Sequence, residues 1–188
     1  MKKTLLFLAT AALVAAVSCA KRPAQAEAAP VTPVQARSVS QAEMPSVVKT
    51  IPVSVRGADI LPAIAANYKG KVALIDFWAT WCGPCRAAMK KIDEIKPELS
   101  QKGCVFVYVT GETSPVSDWN AMIPGIGGDH YRLTDAQWSE LCQQLNIPGI
   151  PAYLLLGKDG KTAYDNLSEG GYPGSEVLKN NIEVALTK

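Results

Sequence analysis

The sequence predicts an α/β domain built on a mixed sheet, and three local patterns carry that prediction. Two continuous apolar runs, Val72–Trp78 and Cys104–Val109, are typical of strands buried on both faces. Between them, residues 84–99 place apolar side chains at helical spacing. Near the end of the chain, Asp159-Gly160 lies between the short segments Ala152–Leu156 and Lys161–Tyr164 and favours an antiparallel hairpin. Strands that alternate with helices and end in a hairpin form a mixed α/β sheet.

Composition excludes several classes of protein. The chain has 188 residues, of which 48% are hydrophobic and 19% charged, so it can bury a core and is too apolar for a disordered chain. The formal net charge is only +2, which argues against a nucleic-acid-binding protein. Five cysteines are too few for a small disulfide-rich scaffold at this length. One globular domain with a tail remains.

The N-terminus has the features of an export signal. Met1-Lys2-Lys3 is basic, and the apolar run Leu5–Val17 is thirteen residues long, short of the roughly twenty that span a bilayer. Ala16–Cys19 resembles the lipobox of bacterial lipoproteins, although Ala16 stands where leucine is usual. We therefore expect a signal peptide over residues 1–18 and a lipid on Cys19. The alternative is an ordinary secretory signal cut after Ala20 or Ala26, which would leave a soluble exported protein.

Residues 19–46 are predicted to be a flexible tether, and residues 47–188 the folded domain. The tether is rich in Ala, Pro, Gln and Ser and shows no sustained hydrophobic period, so it cannot bury enough surface to offset its ordering entropy. Without Lys2 and Lys3, the exported chain would carry 17 basic and 17 acidic residues, so net charge gives no indication of its partners.

The elements of the domain are predicted from local patterns in chain order. Pro62 should break the first helix early, and Pro97 should kink or end the second. The predicted series is an edge strand at Val53–Val55, a helix at Ala58–Asn67, a strand at Val72–Trp78, a helix at Pro84–Leu99, a strand at Cys104–Val109, a long connection over residues 110–135, a helix through Trp138–Leu145, hairpin strands at Ala152–Leu156 and Lys161–Tyr164, and a helix at Ser175–Leu186.

The candidate chemistry lies in residues 76–86, DFWATWCGPCR. Cys82 and Cys85 follow a buried strand and stand where a helix begins, so unpaired amides and the helix dipole would stabilise a thiolate there. A lower thiol pKa increases the nucleophile population near neutral pH. The two-residue spacing lets the second cysteine resolve a mixed disulfide, and Pro84 suits the first helical turn because its missing amide would lack a partner anyway. The motif predicts thiol–disulfide exchange.

This segment closely resembles the active-site strand and turn of thioredoxin, including an acid, Asp76, nine residues before the second cysteine. Gly149-Ile150-Pro151, with Pro151 66 residues after Cys85, resembles the thioredoxin cis-proline loop, and the hairpin follows at the expected place. The longer connection between them and the exported form resemble the TlpA-like branch, the ResA and DsbE type. The resemblance implies a thioredoxin fold with helices on both faces of the sheet and an insertion between the Cys-x-x-Cys helix and the cis-proline strand.

The resemblance also implies roles for individual residues. Cys82 would be the exposed attacking thiolate and Cys85 the resolving thiol, joined in a redox disulfide. Asp76 would exchange protons with Cys85, its pKa raised by burial. The client polypeptide would be bound by residues around the pair: Trp81, Gly83, Pro84, Ile150 and Pro151. Thioredoxins commonly place a lysine on the neighbouring strand near the acid, and Cys104–Thr110 has none.

The cysteines and the histidine have alternative roles besides redox chemistry. A Cys-x-x-Cys pair can be half of a zinc site, with His130, Cys104 and Cys142 as further ligands, but the last two fit core patterns, so no metal is expected. Cys104 and Cys142 are expected to be small buried hydrophobes, and a structural disulfide between them is the alternative. His130 is expected to be a loop histidine rather than a catalytic one.

The expected function is a thiol–disulfide oxidoreductase that reduces disulfides of exported proteins, with no cofactor. Its expected partners are disulfide-bearing clients and a membrane protein that donates electrons, and the lipid on Cys19 would hold a monomer at the periplasmic face of a membrane. Two cysteines alone do not determine the direction of electron transfer, because redox potentials in such proteins span about 150 mV. The expected direction, reduction, rests on the Gly83-Pro84 dipeptide, which resembles that of the reducing members. The alternatives are a disulfide oxidase or isomerase and a non-catalytic module that docks extended peptide.

Overall fold

The computed structural model describes residues 44–188. The predicted signal peptide, Cys19 and the tether as far as residue 43 lie outside the described residues. The elements are β1 Ser46–Lys49, α1 Ile60–Ala65, β2 Val72–Phe77, α2 Gly83–Gln101, β3 Cys104–Gly111, α3 Val116–Met122, β4 Gly128–Leu133, α4 Asp135–Gln144, β5 Ala152–Leu156, β6 Thr162–Asp165 and α5 Ser175–Thr187, with 3-10 turns at Gly57–Asp59, Ala66–Tyr68 and Ile123–Gly125.

The strands form one six-stranded mixed sheet in the order β1-β4-β3-β2-β5-β6. Strands β1, β4, β3 and β2 run parallel to one another, whereas β5 is antiparallel to β2 and β6 is antiparallel to β5. The predicted fold class, a thioredoxin fold with a mixed sheet, is confirmed. The register pairs Phe77 with Ala152, so the last residue of β2 and the first residue of β5 lie side by side at the same end of the strands.

Helices cover both faces of the sheet, as predicted. On one face, α2 and α5 pack on alternate side chains of the central strands, among them Leu74 of β2, Phe106 of β3 and Leu155 of β5. On the other face, Ile64 of α1 and Leu141 of α4 pack on the intervening side chains. All six residues of β2 are buried because this strand lies at the centre of both layers. Its continuous apolar pattern, interrupted only by Asp76, follows from that position.

The predicted edge strand at Val53–Val55 is wrong. These residues form a turn in which the Val55 amide donates to the Pro52 carbonyl at 3.0 Å, and Val53 is exposed. The edge strand is instead β1, which pairs with β4. The three residues after Pro52 are enough for a turn, whereas the four residues Ser46–Lys49 form a row of strand pairs with β4.

Neither proline in the first two helices acts as a terminator. Pro62 is the third residue of α1, where its missing amide has no helical partner in any case. Pro97 lies inside α2, which continues to Gln101. The flanking residues Lys96 and Leu99 are both buried, so packing on the sheet stabilises the helix on either side of the proline.

The long connection predicted over residues 110–135 contains a helix, α3, and a strand, β4, that lies between β1 and β3. Sequence patterns missed β4 because its buried residues, His130, Tyr131 and Leu133, are interrupted by the charged Asp129 and Arg132. They missed α3 because it is a single short helix with one buried residue, Trp119. Among the described residues, no helix is both long and apolar enough to cross a membrane.

Candidate active site

Cys82 and Cys85 form a disulfide at the beginning of α2, with their Cα atoms 5.3 Å apart. Cys82 is the N-cap residue, in extended conformation, and Gly83, Pro84 and Cys85 form the first turn of the helix. Strand β2 ends five residues before Cys82, so the pair lies just beyond the carboxyl end of this central strand. The cysteines therefore lie where α2 offers unpaired amides and a partial positive charge.

The Cys82 sulfur is in contact with one of these amides. The Cys85 backbone N–H donates to Cys82 Sγ at 3.1 Å. A proline early in the helix costs no hydrogen bond there. In the reduced protein, an amide hydrogen bond of this kind favours the charged form of the Cys82 sulfur over the neutral thiol.

The two cysteines differ in access to solvent, though less than predicted. Cys82 is 4% exposed and Cys85 is 0% exposed. The prediction that Cys82 is an exposed residue is therefore wrong in degree, because its sulfur lies among core residues and 3.8 Å from the Ile150 carbonyl oxygen. Cys82 is still the member of the pair that a client disulfide can approach.

The Ile150–Pro151 peptide bond is cis, as the resemblance implied. Pro151 is buried immediately before β5, and Ile150 packs against both cores. The antiparallel pairing of β5 with β2 is the reason that Ile150, far along the chain, lies next to Cys82. The Ile150 carbonyl is thus available beside the reactive sulfur.

The remaining predicted binding residues surround the pair at the surface. Trp81 is a large hydrophobic side chain that is 61% exposed, and Gly83 and Pro84 are also exposed. A side chain at Gly83 would meet no neighbouring atom within 4 Å, so the open space above it is accessible to a ligand. Trp81, which precedes Cys82 in the chain, and the half-buried Ile150, whose carbonyl lies near the Cys82 sulfur, are suited to apolar contact with a polypeptide.

Asp76 is buried in β2 without a hydrogen-bond partner among residues 44–188. It is 2% exposed, and neither of its carboxyl oxygens has a partner there. It faces the same side of the sheet as Leu74 and Trp78, which belong to the core cluster that contains Cys85. Burial raises the pKa of Asp76 to about 8, because loss of solvation disfavours the carboxylate. The carboxyl group can therefore exchange a proton near neutral pH.

Lys96 is a charged residue of this core that sequence reasoning missed. It projects from the buried side of α2, where Nζ lies 2.6 Å from Asp93 Oδ1 and donates to the Gly127 carbonyl at 3.2 Å. Its positive charge opposes the effect of burial and lowers the pKa of Asp76. Lysine at a position of the apolar stripe, four residues after Ile92, was the available signal. The cation comes from the helix, not from the neighbouring strand.

Two tyrosines flank Asp76 across the sheet. Tyr108 of β3 and Tyr153 of β5 are its direct neighbours in register. Both are buried, and their hydroxyls have no hydrogen-bond partner among the described residues. Burial raises the pKa of each tyrosine. The acid thus lies between neutral phenols, which explains why its carboxylate is poorly solvated.

His130 is in strand β4 and fully buried, so its expected place in a loop is wrong. Its ring stacks on Tyr108 with centroids 5.0 Å apart, and Nε2 lies 2.7 Å from the Ile126 carbonyl. Burial lowers its pKa, so the ring is neutral and Nε2–H donates to that carbonyl. The packing assigns His130 to the core beneath α3.

Cys104 and Cys142 do not pair with each other. Both are free thiols, Cys104 facing the α2 side of the sheet and Cys142 lying on α4, which packs on the other side. The sheet separates them, so the alternative of a structural disulfide is wrong. Within residues 44–188, no three His, Cys, Asp or Glu side chains are grouped closely enough to hold a metal ion.

Comparison with known proteins identifies the family. Residues 70–162 match the thioredoxin-like domain family. ResA of Bacillus thuringiensis, a thiol-disulfide oxidoreductase, is 24% identical over 103 residues, which cover 55% of this chain and 58% of ResA. The match thus spans less than two thirds of that relative's length.

Solved structures agree with the sequence comparison. The thioredoxin domain of a thiol-disulfide oxidoreductase from Bacteroides vulgatus has a TM-score of 0.56 at 22% identity, covering 64% of this chain and 83% of that one. A protein from Chlorobium tepidum described as a candidate thiol:disulfide interchange protein DsbE has a TM-score of 0.51 at 25% identity, and the match covers 64% of this chain and 84% of that one. Residues 70–162 therefore form a domain of the thioredoxin-like family, and the chain is similar to thiol-disulfide oxidoreductases of the ResA and DsbE type.

Proposed function

We propose that this protein is a thiol–disulfide oxidoreductase that reduces disulfides of exported client proteins. The observation that carries the proposal is the Cys82–Cys85 pair at the N-terminus of α2, with the Ile150 carbonyl 3.8 Å from Cys82 Sγ. A dithiol at a helix N-terminus is chemically suited to exchange, and an adjacent free carbonyl can orient a client backbone.

The reaction proceeds in two exchanges. The Cys82 thiolate attacks one client sulfur, the client S–S bond breaks, and the first client thiolate leaves as a mixed disulfide forms. The Cys85 thiolate then attacks Cys82 Sγ, which restores the Cys82–Cys85 disulfide and releases the second client thiolate. Two electrons pass from the dithiol to the client disulfide, and the two thiol protons end on the client sulfurs. A reductant must then reduce the pair again.

Asp76 serves the second exchange. Cys85 is fully buried, so its proton needs an internal acceptor. A carboxyl group with a pKa of about 8 is partly ionised near neutral pH and can take that proton. Because the acid and the buried thiol share one low-dielectric region, their protons titrate as a coupled pair.

Trp81, Gly83, Pro84, Ile150 and Pro151 are proposed to bind the client around the reacting disulfide. The exposed Trp81 side chain offers apolar contact, and the Ile150 carbonyl accepts a hydrogen bond from extended backbone. The site therefore recognises polypeptide more than particular side chains.

The compartment and partners are proposed from the N-terminal sequence and the relatives. The export signal at residues 1–18 and Cys19 suggest a lipoprotein at the periplasmic face of a membrane, with a soluble exported protein as the alternative. A reductase in an oxidising space needs electrons from elsewhere, so a membrane protein that donates electrons is the proposed partner. ResA of Bacillus thuringiensis and the Chlorobium tepidum protein carry names of the same chemistry.

Insulin reduction tests the proposal. With dithiothreitol as electron source, the wild-type protein should accelerate insulin reduction, and Cys82→Ala should abolish the acceleration. Cys104→Ala, which removes a thiol outside the site, is the matched control and should retain it. If wild type and Cys82→Ala do not differ, reductase activity is excluded. Wild-type reshuffling of scrambled disulfides without insulin reduction would instead support an isomerase, and peptide binding unaffected by Cys82→Ala would support a docking module.

Cys85→Ala identifies the clients. The variant keeps the attacking thiol but cannot complete the second exchange, so mixed disulfides on Cys82 should accumulate. Separation under non-reducing conditions and mass spectrometry then identify the trapped proteins. A Cys82→Ala/Cys85→Ala variant should trap none, and equal trapping by both variants would contradict the assigned order of attack.

A further inference from the structure

The turn between β2 and α2, residues 78–82, carries Cys82 and depends on other segments for its position. At its beginning, the Trp78 amide donates to the Val109 carbonyl of β3 at 3.0 Å. In its middle, the buried Thr80 amide donates to Ser114 Oγ at 3.0 Å. Thr80 is two residues before Cys82, so this side-chain hydroxyl fixes the backbone of the turn next to the reactive residue.

Ser114 is itself held firmly in the connection between β3 and α3. It is fully buried, and its Oγ lies 2.7 Å from the Thr110 hydroxyl of β3, with which it shares a hydrogen bond. Its backbone N–H donates to the Gly111 carbonyl at 3.0 Å. A hydroxyl that accepts from one segment while bonded to another has little rotational freedom.

Arg132 of β4 ties the same connection to the sheet. Its Nε donates to the Ser114 carbonyl at 2.9 Å, and its Nη2 donates to the Glu112 carbonyl at 3.3 Å. The Glu112 side chain accepts from the Asp135 amide at the start of α4 at 3.2 Å. Ser114 is therefore supported from β3, β4 and α4 while it holds the redox turn.

We propose that Ser114 is a positioning residue for Cys82, and that the segment between β3 and α3 belongs to the machinery of the redox site. Removal of its hydroxyl leaves the buried Thr80 N–H without a partner, which a shift of the turn would relieve. Such a shift displaces Cys82 from the Cys85 amide that contacts its sulfur at 3.1 Å. The thiolate of Cys82 then becomes less stable, and its reactivity falls.

This inference rests on the proposed function only where turnover is measured, since the titration of Cys82 can be followed without any client. A purely structural role for Ser114 would lower the free energy of unfolding and leave the Cys82 titration unchanged. If Ser114 positions Cys82, removal of its hydroxyl shifts the pH dependence of Cys82 alkylation to higher pH. The two roles therefore differ in the pH dependence of Cys82 alkylation, which a change in stability alone does not alter.

The test compares Ser114→Ala with Ser114→Thr, which restores a hydroxyl, in the reduced protein. Asp159→Ala is the matched control, because Asp159 Oδ1 also accepts a backbone amide, from Lys161, but in the β5–β6 turn. The pH dependence of Cys82 alkylation is followed by mass spectrometry, together with the free energy of unfolding. At pH values below the midpoint of the Cys82 alkylation profile, Ser114→Ala should reduce the fraction of Cys82 present as thiolate by about fivefold, which corresponds to the loss of one hydrogen bond. Ser114→Thr should restore most of it, and Asp159→Ala should leave the midpoint unchanged.

Thr110→Val provides a second variant should Ser114→Ala fail to fold. It keeps the Ser114 oxygen and the side-chain shape at residue 110 but frees the Ser114 hydroxyl to rotate, so a smaller shift in the same direction is expected. An unchanged Cys82 alkylation midpoint in the folded variants overturns the inference. Absence of insulin reduction by the wild type would instead overturn the proposed function, and the titration would still decide the role of Ser114.

Discussion

At the scale of single residues, Asp76 combines deep burial with the absence of a hydrogen-bond partner among residues 44–188. The pKa of its carboxyl group rises from 3.8 to about 8 on folding. Between these values the folded state binds a proton that the unfolded state has lost, so the free energy of unfolding falls as pH rises. Above the folded pKa the full cost of burying a carboxylate is present.

Asp76→Asn should therefore stabilise the fold, and the gain should grow from pH 4 to about pH 8 and then level off. Asparagine keeps the shape but carries no charge at any of these pH values, which removes the dependence. Urea denaturation of both oxidised proteins at pH 5, 7 and 9 measures the gain. A constant difference between the two proteins across this range would mean that Asp76 is solvated or paired.

The same substitution should slow catalysis at one step. Without a proton acceptor near the buried Cys85, resolution of the mixed disulfide should slow more than formation of the mixed disulfide by Cys82. General acid–base assistance contributes about 100-fold to 10,000-fold in typical enzymes, which sets the upper range of the effect. Stopped-flow reduction of a model disulfide separates the two steps. An unchanged resolution rate would remove Asp76 from the mechanism.

The four cysteines of the described domain should differ in reactivity in the reduced protein. Cys82 accepts a hydrogen bond from an amide at the N-terminus of α2, whereas Cys85 is fully buried. Burial raises the pKa of Cys104 to about 12 and that of Cys142 to about 11. Iodoacetamide at pH 7 should therefore label Cys82 first, as followed by mass spectrometry. Faster labelling of Cys85 would reverse the assigned roles of attacking and resolving thiol.

At the scale of the secondary-structure elements, α2 carries both the reactive pair and the charge that acts on Asp76. Lys96 lies eleven residues after Cys85, about three helical turns, so both project from the same side of the helix. The Lys96 ammonium lies over the Tyr108 ring, 5.1 Å from its centroid, and Tyr108 is the register partner of Asp76. The helix therefore places a positive charge in the low-dielectric region that contains the acid.

Lys96→Met should raise the pKa of Asp76 further, because it removes the charge that favours the carboxylate. Methionine preserves much of the length and apolar stem of the buried side chain. Titration of the Asp76 carboxyl carbon by NMR in the oxidised protein measures the shift. Lys102→Met is the control, since Lys102 pairs with Glu98 and Glu183 at the surface end of α2 and should leave Asp76 unaffected. Identical Asp76 midpoints in wild type and Lys96→Met would exclude the electrostatic link.

At the scale of the whole molecule, we expect the folded domain to carry the redox activity and the N-terminal segment to provide membrane attachment. The redox residues and the side chains that surround them lie between residues 76 and 153. Cys19→Ala should therefore leave insulin reduction unchanged while releasing the protein from membranes. Fractionation of cells that express each form measures the distribution. A wild-type protein found in the soluble exported fraction would support the alternative of a cleaved secretory signal.

Local sequence determined the main architecture and the centre of the site. The apolar runs of β2, β3 and β5, the hairpin turn at Asp159-Gly160 and the stripe of α2 are each recognisable within a short window, because their periodicity reports burial directly. Cys82 and Cys85 were recognisable because thiol–disulfide exchange needs two thiols at this spacing at a helix start, whereas the role of Asp76 followed from the resemblance. The cis peptide bond at Pro151 followed from the resemblance and is present.

Tertiary structure decided the contacts between residues that are distant in the chain. No local pattern shows that β4 lies between β1 and β3, that His130 stacks on Tyr108, or that Ser114 accepts the Thr80 amide. The surroundings of Asp76 are of the same kind, because the pKa of a buried acid depends on neighbours from β3, β5 and α2 together. Local sequence determines which residues can carry charge or thiol chemistry, and long-range packing sets the dielectric, the distances and the partners that control their reactivity.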